Sequence, residues 1–217
     1  AIDGDVTEGI SVTGKVDIQK LGQYLLEYAV KDRAGNVITM QRSISVVDAT
    51  PPDIKGLSPL VIPHGESKAL DLFAGVVAID AAYGDLSASI KIEGVVDKNK
   101  VGVYELTYSV TDGAGWSQIQ KRLVTVVDQT APLFTGVEDV TLAHNSKQAI
   151  DLKAGVTATD AVDGDLTAEV SATGKADLSK VGVYEITYRV SDSSDHEKVV
   201  KRKVRVVDQA RPEFAGI

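Results

Sequence analysis

The sequence predicts an all-β protein made of tandem β-sandwich modules of about 80 residues, the first of them truncated. Three observations predict it. A gap-free repeat runs through the 217 residues: "VVDAT" closes at Thr50, "VVDQT" at Thr130 and "VVDQA" at Ala210, a constant step of 80. Between these marks apolar and polar residues alternate with period two, the spacing of a half-buried strand and not of a helix. Turn signals built on Gly, Asp and Asn recur every 8 to 15 residues, which suits short strands.

Other landmarks keep the same step. "AIDGDVT" at 1–7 aligns with "AAYGDLS" at 81–87 and "AVDGDLT" at 161–167, and "LGQYLLEYAVKD", "VGVYELTYSVTD" and "VGVYEITYRVSD" begin at 21, 101 and 181. The expected organisation is therefore a partial module at 1–50, whole modules at 51–130 and 131–210, and the start of a further module or a tail at 211–217, where "RPEFAGI" repeats "APLFTGV". Residues 1–50 correspond to 81–130, so the first module lacks the equivalents of 51–80 and its core should be short of two strands. Either that segment has been lost or another chain completes the module by adding strands to its open edges.

Within 131–210 the elements follow in order. Strand A is expected near 134–143 and strand B near 148–159, with Gly155, like Gly75 before it, marking a bulge or a close backbone approach. Strand C is expected near 166–173, with further short strands to 180. Strand F, 182–191, sets Tyr184, Ile186, Tyr188 and Val190 on one face and Glu185, Thr187 and Arg189 on the other. Leu178 and Gly182 precede Tyr184 as in the tyrosine corner that closes the E to F connection of immunoglobulin-like sandwiches, and the partial copy keeps Ile18, Gly22 and Tyr24. Strand G, 198–207, turns Val204 and Val206 inward and leaves Lys203, Arg205 and neighbouring polar groups in solvent. Prolines at 51, 52, 132 and 212 stand at module junctions, where a fixed φ makes short, semi-rigid linkers.

Composition narrows the function. With 43% hydrophobic and 25% charged residues the chain should fold, and 5% aromatic residues imply small cores of β-branched side chains. A net charge of −8 with basic residues scattered singly or in short runs excludes a nucleic-acid partner as the expectation. No apolar run is long enough to span a membrane, although a signal peptide could precede this segment. Cysteine is absent, which removes disulfides and thiolate metal sites.

The pattern "GV.A.DA.DGDLT…GKAD…VG.Y…Y.V.D…R.V.VVD.T.P" resembles the bacterial immunoglobulin-like repeats found in tandem in secreted and surface-anchored proteins, chiefly of Gram-positive bacteria, and in one group of pesticidal crystal proteins. The resemblance implies a secreted or cell-surface setting and a spacer or adhesive role, with neighbouring modules of the same chain as partners. It names no ligand. No catalytic constellation stands out, so a non-catalytic spacer is the leading expectation. An adhesive or carbohydrate-binding module, or the targeting domain of a toxin, reading a host-surface protein or glycan, is the alternative.

The acidic turns are the candidate site. Calcium takes six to eight oxygen ligands, so carboxylates must converge from several loops. In an immunoglobulin-like topology Asp128, closing one module, should approach Asp160, Asp163 and Asp165 in the B to C loop and Asp192 at the F to G turn of the next. The preceding junction offers Asp48 with Asp80, Asp85 and Asp112, but Tyr83 stands where Asp163 does, so that site is expected to be the weaker. Turn chemistry alone is the competing explanation, because Asp-Gly pairs and Asp side chains cap turns without any metal. His64 and His144 occupy equivalent turns and His196 stands alone, with no zinc spacing among them. Trp116, the sole tryptophan, is a weak candidate for stacking on a sugar ring.

Overall fold

The computed structural model describes residues 4–146 and 150–211. The first three residues of the opening copy, 147–149 at the expected start of strand B, and 212–217 of the expected tail lie outside the described residues. The strands are β1 (Ser11–Thr13), β2 (Gly22–Lys31), β3 (Val37–Val46), β4 (Asp53–Lys55), β5 (Leu60–Pro63), β6 (Val77–Asp80), β7 (Gly84–Asp85), β8 (Lys91–Glu93), β9 (Gly102–Thr111), β10 (Ser117–Val127), β11 (Leu133–Thr135), β12 (Val140–Ala143), β13 (Thr157–Asp160), β14 (Gly164–Asp165), β15 (Ser171–Thr173), β16 (Gly182–Ser191) and β17 (Glu197–Val207). Among the described residues the only helical segments are single 3-10 turns at Thr7–Gly9, Ser87–Ser89 and Thr167–Glu169. The all-β expectation holds.

By internal contact the chain forms two compact units, one of Ala1–Leu60, Leu70–Val96 and Tyr104–Val124, the other of Val61–Ala69, Asp97–Val103 and Thr125–Ile217. The first unit contains the three-stranded sheets β1-β2-β3 and β4-β6-β7. In β1-β2-β3 the long hairpin β2/β3 pairs Gly22 with Val46 through Lys31 with Val37. No described residue from 4 to 50 is buried, and Val12, Leu25, Ile38 and Met40 are all more than half exposed. Further along, Ile54, Ala78, Leu106, Tyr108, Val110 and Val124 are buried.

In the second unit, β11-β13-β14 and β12-β17-β16-β15 form a three-stranded and a four-stranded sheet. Their apolar residues make one core of Phe134, Val156, Ala158, Val170, Ile186, Tyr188, Val190 and Val204. Period-two alternation dictates this: Ile186, Tyr188 and Val190 on β16 and Val204 and Val206 on β17 are buried, while Glu185, Arg189, Lys203 and Arg205 are exposed. Strands F and G are where the sequence puts them, β16 and β17 pairing from Gly182 with Val206 to Ser191 with Glu197. The tyrosine corner also forms, the Tyr184 hydroxyl donating to the Lys180 carbonyl at 2.9 Å and that of Tyr24 to Lys20 at 2.8 Å.

Four details differ from the expectation. Strand A is two strands: Gly136, at φ 71°, ends β11, which pairs antiparallel with β13, whereas β12 runs parallel to β17 in the other sheet. Strand B is short, because 152–155 is a turn, closed by Gly155 at φ 74°, and pairing starts only at Thr157. Strand C is split into β14 and β15 by the 3-10 turn, and residues 174–181 form no strand. Arg202 is not on the solvent side of β17; sharing the face of Val204, it donates Nε to the Glu138 carbonyl at 2.8 Å. Its counterpart Arg122 is buried and donates to the Ser58 carbonyl at 2.7 Å. Each guanidinium ties a loop carbonyl to the G strand through a fixed donor fork.

Candidate metal centre

In each copy the Asp of the Gly-Asp pair has a hydroxyl residue two positions on, and the two make a turn. Asp5, Asp85 and Asp165 accept the backbone N–H of Thr7, Ser87 and Thr167 through Oδ1 at 2.9 Å. The hydroxyl then turns back onto the sheet: Ser87 Oγ accepts the Ala78 N–H at 3.0 Å and Thr167 Oγ1 that of Ala158 at 3.1 Å. Asp85 and Asp165 are thus exposed turn acids, and neither falls within the carboxylate groups described next. Their sequence position beside Asp80 and Asp163 suggested convergence, but the alternation of the strand turns them onto their own 3-10 segment.

The remaining acids do gather. In the first unit, one oxygen each from Asp48, Asp80 and Asp112 lie within 4.8 Å of one another. In the second unit, Asp128, Asp160 and Asp163 meet the same condition, as do Asp128, Asp192 and His196. Asp80, Asp112, Asp128 and Asp192 are all buried. They are fixed by Asx turns: Asp80 Oδ1 accepts the N–H groups of Ala82 and Tyr83, Asp112 Oδ1 those of Ala114 and Trp116, and Asp160 Oδ1 those of Val162 and Asp163. Asp48 and Asp128, at the ends of "VVD", accept the N–H and hydroxyl of Thr50 and Thr130.

His196 is the residue the sequence did not single out for this site. Its Nδ1 lies 2.9 Å from Asp192 Oδ2, and its N–H donates to Asp192 Oδ1. The clue was the four-residue spacing across the F to G hairpin, a pairing that Asn36 makes with Asp32 in the first copy. Burial pushes the Asp192 carboxyl up, but the His196 N–H, its ring and the Ser194 N–H outweigh it and hold that carboxyl below its ordinary value. His64 and His144 are turn residues, with Nε2 against the carbonyls of Asn99 and Ser179. Trp116 is 47% exposed, yet its Nε1 donates to the Asp48 carbonyl at 3.3 Å, so its polar edge is already engaged.

The family model described as "Bacterial surface protein, Ig-like domain" matches residues 1–46, 52–126 and 135–206. This chain belongs to that family. As a bacterial surface Ig-like chain it fits an extracellular or cell-surface setting, and among its described residues no helix is long and apolar enough to cross a membrane. A similar curated protein is an uncharacterized 81.3 kDa protein of Acholeplasma phage L2, 31% identical over 91% of this chain and 28% of that protein. Another is the pesticidal crystal protein Cry22Aa of Bacillus thuringiensis, 25% identical over 96% of this chain and 29% of that protein. The Ig-like chain spans less than a third of either relative. Among solved structures, the M60 catalytic domain with CBM51 domains of Clostridium perfringens ZmpB matches over 93% of this chain and 36% of that one, at 14% identity and a TM-score of 0.46. Nothing about function follows from a likeness of that degree.

The turn acids of the Ig-like modules carry a pH prediction. The Thr167 hydroxyl and then its N–H hold the Asp165 carboxyl below its ordinary value of 3.8, against a smaller opposing effect of burial. A depressed carboxyl stabilises the fold fully above its unfolded value and loses that contribution as pH falls through the folded value. Melting temperature should therefore drop on acidification below about pH 4, and Asp165→Asn, which cannot titrate, should flatten that drop. Thermal melts of both proteins from pH 6 to pH 2 check this; parallel curves would refute it.

Proposed function

We propose that this segment is a non-catalytic extracellular spacer within a longer secreted or surface protein, its tandem Ig-like modules carrying other domains away from their base. One observation carries the reading: a single bacterial surface Ig-like pattern recurs three times in register, and the repeated positions are strand, turn and core residues. Calcium held at the acidic module junctions would be the stiffening element of such a spacer. The match to part of a pesticidal crystal protein is compatible with the same service in an unrelated parent.

Antibodies against this segment should label intact producing cells or detect it in their medium, and the segment alone should give no signal on a glycan array. A signal confined to the cell interior would overturn the extracellular placement. Glycan binding that disappears in Trp116→Ala would replace the spacer by the adhesive reading.

A further inference from the structure

Turn chemistry explains why aspartate recurs at these positions, but it uses only half of each side chain. At Asp48, Asp80 and Asp112 every turn bond goes to Oδ1. The Oδ2 atoms of all three are buried and meet no donor among the described residues. Asp80 and Asp112 are 4% and 8% exposed, so water cannot freely supply what the protein does not. Oδ1 being occupied, Oδ2 is the atom each carboxylate has left for a ligand, and one oxygen of each carboxylate lies within 4.8 Å of one from each of the others. Two ligands of one calcium ion stand at most about 5 Å apart, twice the calcium–oxygen distance of about 2.3 to 2.6 Å. Three carboxylates this close repel one another, and a hard divalent cation removes the repulsion and fills the missing contacts together.

We propose that Asp48, Asp80 and Asp112 form the chain's principal cation site, taking a calcium-class ion through oxygen alone, with Tyr83 as its cover. This inverts the order expected from the sequence, where Tyr83 counted as a lost ligand. At the Asp128 cluster, protein donors already answer the acids: Asp192 Oδ2 has the His196 ring, and Asp163 Oδ2 accepts the Ser193 N–H at 3.1 Å, leaving Asp128 Oδ2 as the one buried oxygen there without a partner among the described residues. At the Asp48 cluster the equivalent of Ser193 is Gly113, and a Cβ on it would collide with the Tyr83 ring. Tyrosine over glycine thus replaces aspartate on serine. The exchange removes a fourth carboxylate and lays an apolar ring against the turn of Asp112, which desolvates the site. Trp116 lies on the same turn, its N–H on Asp112 and its indole N–H on the Asp48 carbonyl.

That tryptophan supplies the test. Terbium, a hard cation that substitutes for calcium, emits when a neighbouring indole is excited, and Trp116 is the only one in the chain. Excitation at the red edge of indole absorption should give terbium emission that saturates and that calcium displaces. Asp112→Asn and Asp80→Asn keep the Oδ1 turn acceptor, so circular dichroism should show both folded, while apparent terbium affinity falls about tenfold or more. Asp128→Asn should leave the emission unchanged. Emission that survives in Asp80→Asn and Asp112→Asn, that is lost in Asp128→Asn, or that never develops in the wild-type chain would overturn the proposal. Only the ion's use as a stiffener rests on the spacer reading. Spin labels at residues 43 and 91, with distance distributions measured with and without calcium, separate the two: binding without narrowing leaves the site standing and sinks the stiffening.

Discussion

Replacing Tyr188 by Ala should destabilise the second unit by about 3 to 5 kcal/mol, the range for losing a buried aromatic side chain. Tyr188 is fully buried between the two sheets of that unit, its ring centroid 6.4 Å from that of Phe134 at an interplanar angle of 58°. Truncation to Ala would leave a void in the core it shares with Phe134, Val156 and Val204, and because β17, which carries Val204, is held by β12 on one side and β16 on the other, the site can collapse only in part. The loss is polar as well as apolar. The Tyr188 hydroxyl donates to the Leu152 carbonyl at 2.5 Å and receives a long contact from Arg202 at 3.5 Å. Tyr188→Phe isolates that share: it keeps the ring and strands a carbonyl in the turn before β13, at about 1 to 2 kcal/mol. Tyr184→Phe is the control on the same strand. Its hydroxyl bond to Lys180 is exposed, so water replaces it and the change should stay below about 1 kcal/mol. Urea unfolding of the three variants checks the order Tyr188→Ala, Tyr188→Phe, Tyr184→Phe. With a total stability of about 5 to 15 kcal/mol typical of domains, the Ala variant should melt near physiological temperature. Equal midpoints for the two Phe variants would contradict the account.

The hairpin that carries Tyr188 was legible because both of its faces are written in the sequence. Ile186, Tyr188 and Val190 alternate with Glu185, Thr187 and Arg189 over ten residues, and the 80-residue repeat shows the pattern again. Strand A was less legible. Its apolar residues Phe134, Val140 and Leu142 read as one run, and nothing local says that a glycine in the left-handed region sends the two halves to opposite sheets. Arg202 was hidden by its neighbours in "KRKVR", where charge alone suggested solvent; the loop carbonyl at Glu138 and the Tyr188 hydroxyl explain its inward turn. For the acidic turns, residue type revealed which loops carry carboxylates but not which oxygen each turn consumes. Convergence of Asp48, Asp80 and Asp112 could be expected from topology. The unpartnered Oδ2 atoms could not, because they depend on side-chain rotamers fixed by Asx turns. Tyr83 was visible as a lost carboxylate, and its link to Gly113 becomes legible only when the ring is seen above the missing Cβ.

Gly136→Ala is expected to be nearly as damaging as losing Tyr188, although it adds one methyl group. Gly136 has φ 71°, a conformation that costs an L side chain about 1 to 2 kcal/mol. A Cβ there would also run into the carbonyl oxygen of Gly155, with Val156 Cα behind it at 3.4 Å. The obstacle is backbone, so no rotamer change relieves it. Either β11 separates from β13, breaking the pairing of Phe134 with Ala158 beside the core, or the turn that closes at Gly155 shifts. Overpacking of this kind adds about 1 to 3 kcal/mol, for a total near 3 kcal/mol or more. Gly155→Ala separates the two contributions. Gly155 shares the left-handed conformation, at φ 74°, but a Cβ on it meets nothing within 4 Å, so only the conformational cost of about 1 to 2 kcal/mol applies. Gly56 and Gly75 repeat the arrangement one module earlier, a Cβ on Gly56 striking the Gly75 carbonyl, so the unequal pair should recur there. Chemical denaturation of the four single variants reads the result directly. If Gly136→Ala and Gly155→Ala unfold at the same denaturant concentration, the close approach of the two turns is not what demands glycine at 136.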